Sequence, residues 1–486
     1  MSYLELLRLA SPEAAVVLSA LVVLAIGLTT GQKPALSLAA ALIGLAGAIA
    51  AVLLLPANAN LFGGMLVITP LTSLFKIVCL VLAAFAVVLA HADSGTRPHH
   101  AEYIAMLLLG TIGLLLLVGS EELLMIFIGL ELTGLSVYVL TAFDRTDLRS
   151  AEAGLKYFLF GSTASAFTLF GLSFVYGLTG TTALTPVAQK LIAAPLEPLL
   201  AVAVVMTLVG FAFKIAAAPF HLWAPDAYQG APIPSAAFIA SASKVASFVV
   251  LGKIVLIGFA PLHGSAAWRG MLAGWSPILA ALAAASILLG NLVALAQTNL
   301  RRLLAYSAVA HAGYTLLGLL AAGPDGFAAT LFYTTIYAVT LLGAFGVVAI
   351  VGRDTGGDDL ANFAGLRTRS PLLAACMTIF MLSLAGLPPL AGFFGKFYLF
   401  AAAIRAGENH GLLWLVALAL FGSLISLYYY LLVLRVVFSD TSDELSRPAL
   451  AIDPLQRICV GILAAAVVIL GVLPQALVRP IVSALQ

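Results

Sequence analysis

Long apolar runs recur along almost the whole of this chain, and they constrain its fold more than any other feature. A helix needs about 20 mainly apolar residues to cross the hydrocarbon core of a bilayer. The sequence therefore predicts an all-α polytopic membrane protein with about 14 transmembrane helices. The expected spans are 14–30, 35–55, 71–90, 103–119, 121–142, 155–178, 199–218, 233–259, 276–298, 303–322, 327–351, 372–403, 412–438 and 458–477.

Composition excludes the other broad classes. Hydrophobic residues make up 62% of the 486 residues and charged residues only 9%, and the mean hydropathy is +1.12. A soluble protein carries about a quarter of its residues as charges. No connection between spans is long enough for a folded soluble domain, and the three cysteines lie far apart in apolar stretches. We therefore expect no cofactor and no metal on this chain, and no nucleic-acid partner.

The distribution of Lys and Arg in the connections predicts the orientation. Cytoplasmic loops carry an excess of both residues. Numbered by the span that they follow, the odd loops hold thirteen, namely Lys33, Arg97, Arg145, Arg149, Lys156, Arg301, Arg302, Arg353, Arg367, Arg369, Arg435, Arg447 and Arg457. The even loops and the termini hold five, namely Arg8, Lys190, Arg269, Arg405 and Arg479. Both termini are therefore expected on the periplasmic side.

Six charged residues lie well inside the predicted spans, apart from those near span ends or counted with the loops. They are Lys76, Lys214, Lys244, Lys253, Lys396 and the single mid-span acid, Glu131. A charge at the bilayer centre costs roughly 2.5–3.5 kcal/mol, so a function is the default hypothesis. A lysine can release its proton whereas an arginine cannot. The deeper charges therefore predict a proton relay in which Glu131 pairs with Lys214, although structural ion pairs would be the alternative. Lys76 and Lys253, close to span ends, are expected to reach the headgroups.

Two spans carry prolines close to a lysine. Pro219 follows Lys214 by five residues, and Pro389 precedes Lys396 by seven. Proline interrupts a helix, and lipid tolerates this only where protein or water satisfies the freed backbone groups. Broken helices in spans 7 and 12 predict two inverted five-helix repeats. The expected units are 1–100 (helices 1–3), 101–260 (helices 4–8), 261–440 (helices 9–13) and 441–486 (helix 14).

Other titratable residues have weaker signals. His311 lies in mid-span and is a relay candidate, because a histidine titrates near neutral pH. His221, at the break in span 7, and Lys156, which opens span 6, are candidates for the relay or for proton uptake, or are structural. Glu121 and Glu122 are expected to be interfacial. Tyr428, Tyr429 and Tyr430 are expected either to face lipid or to pack against other helices.

These motifs resemble the antiporter-like membrane subunits of respiratory complex I. The resemblance covers about span 3 to span 14 and is most specific at 214–234 (KIAAAPFHLWAPDAYQGAPIP), 301–314 (RRLLAYSAVAHAGY) and 383–396 (SLAGLPPLAGFFGK). The segment EAGLKYF at 152–158 fits as well. Lys396 makes the chain more similar to the subunit N branch than to the subunit M branch, where a glutamate is usual.

The resemblance implies a role for each buried charge. Glu131 would pair with Lys214, Lys244 would link two half-channels, His311 would lie on the axis between them, and Lys396 would belong to the exit half-channel. It also implies proton pumping driven by electron transfer from NADH to quinone, with FMN and iron–sulfur clusters in partner subunits.

The implied partners are subunit M and the small membrane subunits, in a bacterial inner membrane. The main alternative is a subunit of a multi-subunit cation/proton antiporter, which shares the fold. A purely structural membrane subunit is the third reading.

Overall fold

The computed structural model describes residues 3–29, 33–92, 99–192, 196–406, 411–439, 450 and 452–486, and it is largely helical. The helices in these ranges, numbered in chain order, are α1 (Tyr3–Leu9), α2 (Ser11–Thr29), α3 (Pro34–Leu54), α4 (Pro70–His91), α5 (His100–Gly119), α6 (Leu123–Thr141), α7 (Leu148–Thr179), α8 (Leu184–Leu191), α9 (Pro198–Lys214), α10 (Trp223–Gly230), α11 (Ile233–Ala240), α12 (Ala242–Lys253), α13 (Trp275–Ala294), α14 (Leu300–Leu320), α15 (Gly323–Thr355), α16 (Leu366–Arg369), α17 (Pro371–Ala385), α18 (Ala391–Arg405), α19 (Leu413–Val437), α20 (Pro454–Val472) and α21 (Gln475–Leu485). Two short strands, β1 (Ala59–Leu61) and β2 (Leu66–Ile68), form an antiparallel hairpin between α3 and α4.

The all-α polytopic architecture is confirmed. Within the described residues, twelve helical segments are long and apolar enough to cross a membrane, counting α11, α12 and the turn after them as one. Predicted span 7 corresponds to the shorter helix α9, and predicted span 12 is divided into the two shorter helices α17 and α18. The inverted repeats and the four units remain predictions. Arg97 and Arg447, used for the orientation, lie outside the described residues.

Both predicted breaks exist, and protein groups satisfy the backbone that they free. After α9, the amide of Ala218 donates to Oγ of Ser286 on α13 at 2.8 Å, and the indole of Trp223 donates to the carbonyl of Phe213 at 3.0 Å. After α17, the carbonyl of Ala385 accepts a hydrogen bond from Nζ of Lys396 at 2.9 Å. Protein groups therefore satisfy the backbone at both breaks, which is the condition under which irregular backbone is tolerated in a membrane.

A third interruption was not predicted. Ser241 separates α11 from α12 with φ −113° and ψ −88°, three residues before Lys244. No proline or glycine lies between Ser235 and Leu251, so the sequence gives no local signal for it. The same span ends in a π-turn over Ile254–Gly258, directly after Lys253. Such irregular turns are frequent at functional sites.

The helices that carry the central titratable residues are the most enclosed. The segment Ile233–Gly258 and helices α14 and α15 are almost completely covered by their neighbours, whereas α7 and α19 expose many large apolar side chains. Helix α14 packs against α10, α13, α15, α18 and α19. It is therefore the centre of the polar site described next.

Candidate functional site

The first part of the site is a small pocket between α6, α7 and α9. Glu131 and Lys214 both line it, together with Tyr138 and Ser165. Within the described residues the two charged groups form no direct ion pair, and Oε1 of Glu131 instead accepts a short hydrogen bond from Ser165. The cavity of about 20 Å³ has room for one water molecule. Glu131 and Lys214 thus line the same pocket without forming a direct ion pair.

Lys244 lies one helical turn after the interruption at Ser241. Its side chain is 2% exposed, and Nζ donates to the carbonyl of Ala308 on α14 at 2.9 Å. Nζ also lies 5.4 Å from the ring centre of Tyr337 on α15. The ring of Tyr337 is in turn 4.9 Å from that of His311, measured between centroids. Tyr337 therefore lies between the ammonium group and the imidazole.

His311 contacts several tyrosines of the site. Tyr333 Oη lies 2.6 Å from Nδ1 of His311, and Tyr430 Oη lies 3.0 Å from Nε2. Tyr430 also shares a short hydrogen bond with Ser307. Each tyrosine hydroxyl can donate one proton and accept another, and imidazole can do both through its two nitrogens. This arrangement can pass a proton through His311 without moving the backbone.

Lys396 completes the row from the other side. Nζ donates to Oγ of Ser423 at 2.9 Å as well as to the carbonyl of Ala385, and it lies 5.2 Å from the ring centre of Tyr314. The Tyr314 ring is 5.6 Å from the His311 ring. The contacts therefore link the three groups in the order Lys244, His311 and Lys396, and a tyrosine ring contacts both members of each pair.

Gly386 makes room for this lysine. The residue has φ +85°, and a Cβ placed on it would lie 2.9 Å from Cδ of Lys396. Glycine is the residue that adopts this backbone conformation without steric cost. Gly386 thus allows the Lys396 side chain to fold back across the break.

The tyrosines are the part of the site that sequence reasoning missed. Tyr428 is 65% exposed. Tyr429 and Tyr430 pack inside the protein, where both are fully buried and their hydroxyls are hydrogen-bonded. A usable signal was the helical spacing of four between Tyr333 and Tyr337, which places both on one face of α15.

A second polar cluster lies where α7 and α14 begin. Nζ of Lys156 is 2.7 Å from Oε1 of Glu152 and 2.8 Å from Oδ2 of Asp226, and Oδ1 of Asp226 is 2.7 Å from Arg302. Burial alone would raise the pKa of the Asp226 carboxyl, but Lys156 and Arg302 outweigh it and hold that pKa below its ordinary value. A cavity of about 310 Å³ opens beside Asp226. Lys156 is thus held by two carboxylates next to water-accessible space.

His221 lies apart from both clusters. Its ring is 6.2 Å from that of Tyr306, and its Nδ1 has no hydrogen-bond partner within the described residues. The structure therefore places His221 beside the break in span 7 but does not join it to the row of Lys244, His311 and Lys396.

The expectation that Lys76 and Lys253 reach the headgroups is wrong. Lys76 is 4% exposed and its Nζ lies 2.6 Å from Oε1 of Glu13 on α2. Lys253 is 1% exposed, donates to the carbonyl of Val118 at 3.0 Å, and lies 3.3 Å from Oε1 of Glu121. Acceptors on neighbouring helices satisfy both ammonium groups inside the protein, so neither has to reach the membrane surface.

The two glutamates expected at the membrane interface also make contacts within the protein. Glu121 pairs with Lys253, as above, and Glu122 is buried and caps α6 by accepting the amide of Met125 at 2.7 Å. Across the described ranges, no group of three or more His, Cys, Asp or Glu side chains is arranged to hold a metal ion.

Comparison with known proteins identifies the family. Residues 120–426 match the model of the NADH:quinone oxidoreductase/Mrp antiporter transmembrane family. NADH-quinone oxidoreductase subunit N 2 of Acidobacterium capsulatum is 49% identical, over 98% of this chain and 99% of that protein. A chain of respiratory complex I from Thermus thermophilus with bound aureothin is 34% identical with a TM-score of 0.79, covering 96% of this chain and 98% of its own length.

A chain of the Mrp complex from a Dietzia species superposes with a TM-score of 0.83, covering all of this chain and 97% of its own, at only 23% identity. That likeness shows the shared fold alone. The identity to the curated relative extends over nearly the whole of both chains. The chain belongs to the subunit N family of NADH-quinone oxidoreductases, within the larger class of antiporter-like membrane subunits.

Proposed function

We propose that this chain is the proton-translocating membrane subunit N of an NADH:quinone oxidoreductase, a translocase whose electron transfer takes place on other subunits. The observation that carries the proposal is the buried row of Lys244, His311 and Lys396 with tyrosine rings between its members. Charges so deep in a membrane protein are costly and mark ion or proton pathways. Family membership supplies the electron-transfer partner reaction.

In this proposal the row works in two halves. A proton reaches Lys214 from the side where Lys156 and Asp226 lie, and Glu131 controls how strongly Lys214 holds it, through the water-sized pocket that they share. Lys244 accepts the proton next and passes it to His311. Lys396 delivers it to the other half-channel. His221 is proposed only as a lining residue of the first break, because it has no contact with the row.

The same proposal covers the wider assembly. We infer two inverted repeats, 101–260 and 261–440, flanked by units 1–100 and 441–486. The partners would be the antiporter-like subunit M and the small membrane subunits. FMN and iron–sulfur clusters would be bound by partner subunits and not by this chain. The complex would lie in a bacterial inner membrane with both termini of this chain periplasmic.

The first experiment identifies the assembly. The chain is tagged and purified in mild detergent, and the proteins that co-purify are identified alongside an absorbance scan for flavin and iron–sulfur centres. NADH-oxidising and iron–sulfur subunits are expected. If only small antiporter-type membrane proteins accompany the chain, the alternative function in a cation/proton antiporter replaces the proposal, and sodium/proton exchange in vesicles becomes the assay.

The second experiment tests the row itself. Lys244→Met and Lys396→Met remove the ammonium groups but keep the length of the side chain, and Lys190→Met, on the surface helix α8, is the matched control. The two buried variants should assemble and lose proton pumping in proteoliposomes, whereas the control should pump normally. Full pumping by an assembled Lys244→Met complex would refute the relay. Loss of assembly in every buried variant would favour the structural reading.

A further inference from the structure

A long groove opens at the end of the molecule where α14 and α18 end and α15 and α19 begin. It consists of two adjoining cavities of about 1170 Å³ and 400 Å³, which share Ala321, Ala322 and Ala406 as lining residues. The wider cavity lies under the connection between α12 and α13. The narrower one extends between α15, α18 and α21. None of the groups used in the proton row lines either cavity.

Basic residues converge on this groove from separate parts of the chain. Arg269 lines the wider cavity and Arg405 the narrower one. Arg479 follows Val478, which lines the narrower cavity on α21. Asp325 is the carboxylate among the described lining residues, so two arginines face one aspartate and the described lining side chains carry net positive charge.

A rigid aromatic rim borders the wider cavity. The indole of Trp414 donates to the carbonyl of Ala266 at 3.1 Å, and the amide of Trp268 donates to the carbonyl of Gly411 at 3.2 Å. The two indole rings lie 6.4 Å apart, and Trp268 is 74% exposed. Tryptophan is enriched at the headgroup level of membranes. The rim is therefore fixed by the protein and is of the residue type that suits the headgroup level.

The deeper part of the groove is apolar. Phe332 from α15, Phe397 from α18 and Val482 from α21 line the narrower cavity. A soluble anion would gain nothing from these side chains. A molecule with an anionic head and a hydrocarbon tail matches both the positive mouth and the apolar slot.

We propose that this groove binds one anionic phospholipid. The phosphate lies between Arg269 and Arg405 beside the tryptophan rim, and an acyl chain extends along the narrower cavity towards Phe332. Each arginine near the membrane surface favours an anionic lipid by roughly fivefold. The proposal is independent of proton transfer, because its residues lie outside the row.

Quenching of tryptophan fluorescence tests this proposal. The chain has four tryptophans, of which Trp223 and Trp275 are 1% exposed while Trp268 and Trp414 form the rim. The full chain is placed in phosphatidylcholine nanodiscs that contain a small share of either brominated phosphatidylglycerol or brominated phosphatidylcholine. The anionic quencher should be the more effective at equal share, and Trp268→Phe with Trp414→Phe should remove most of the quenched signal.

Matched variants decide the outcome. Arg269→Gln with Arg405→Gln should abolish the preference for the anionic lipid, whereas Arg8→Gln with Lys190→Gln, which removes two basic residues away from the groove, should keep it. Equal quenching by both lipids in the unmodified chain, or an undiminished preference in the first pair, would overturn the proposal. Displacement of the lipid by excess inorganic phosphate would also overturn it, because the site would then recognise phosphate alone. Circular dichroism checks that each variant is folded.

Discussion

Nζ of Lys76 lies 2.6 Å from Oε1 of Glu13, and neither side chain is more than 10% exposed. This ion pair ties α4 to α2. A second ion pair, Lys253 with Glu121, lies close by. Nζ of Lys76 lies 3.2 Å from the position that a Cβ on Gly119 would take, and Nζ of Lys253 donates to the carbonyl of the preceding residue, Val118. Both lysines thus approach the last turn of α5, where free carbonyls favour cations.

Glu13→Gln should destabilise the chain strongly. Removing one partner of a buried pair leaves an uncompensated charge and costs about 3–5 kcal/mol. The apparent Tm of the purified full chain in detergent should fall, and adding Lys76→Met to the same chain should restore most of the loss. Glu197→Gln, at an exposed carboxylate, is the control and should leave the Tm unchanged. Equal losses in the single and the double variant would contradict the ion-pair explanation.

Tyr430→Phe should slow proton pumping without preventing assembly. The hydroxyl that it removes bonds both to His311 and to Ser307. A lost hydrogen bond of about 1 kcal/mol in the transfer barrier slows a step by roughly fivefold. Tyr428→Phe, on the same helix but facing outwards, is the matched control. Pumping is measured in proteoliposomes as the initial rate of proton movement during NADH oxidation, and equal rates in the two variants would exclude Tyr430 from the pathway.

Much of this architecture could be predicted because it depends on local sequence patterns. Apolar runs give the membrane helices, and prolines near Lys214 and Lys396 give the two breaks. The interruption at Ser241 could not be predicted, since no proline or glycine marks it and tertiary packing sets its backbone angles. The same limit applies to the site, where the mid-span position of His311 is visible in the sequence but its contact with Tyr430 is not.

The error at Lys76 and Lys253 has a different physical cause. Both lysines lie close enough to the end of a span that their side chains could reach the headgroups. The decisive fact is that Glu13 and Glu121, on other segments, fold next to them. A single sequence shows the depth of a charge in a span but not which carboxylate will meet it.

Asp226→Asn should lower the Tm of the chain more than Glu152→Gln does. Asp226 bridges Lys156 and Arg302, whereas Glu152 contacts Lys156 from an exposed position, and exposed pairs contribute about 0–1 kcal/mol. Because the pKa of Asp226 is depressed, its stabilising effect is complete above the ordinary carboxyl value and is lost only when the pH falls through the lower folded value. The loss of Tm in Asp226→Asn should therefore be the same from about pH 6 to about pH 8. A loss that shrinks across this window would show that the bridge itself titrates there.

Gly386→Ala should reduce proton pumping through the position of Lys396. The added methyl group would lie 2.9 Å from Cδ of that lysine, so the side chain must move away from Ser423 and from the carbonyl of Ala385. The backbone conformation adds a strain of about 1–3 kcal/mol for a residue other than glycine. Gly356→Ala separates the two effects, because Gly356 has φ +72° but nothing within 4 Å of its Cβ position. Both variants should lower the Tm, Gly386→Ala by more because of the added contact with Lys396, and only Gly386→Ala should lower the number of protons moved per NADH oxidised. Equal pumping by the two assembled variants would show that the contact between Gly386 and Lys396 has no part in proton transfer.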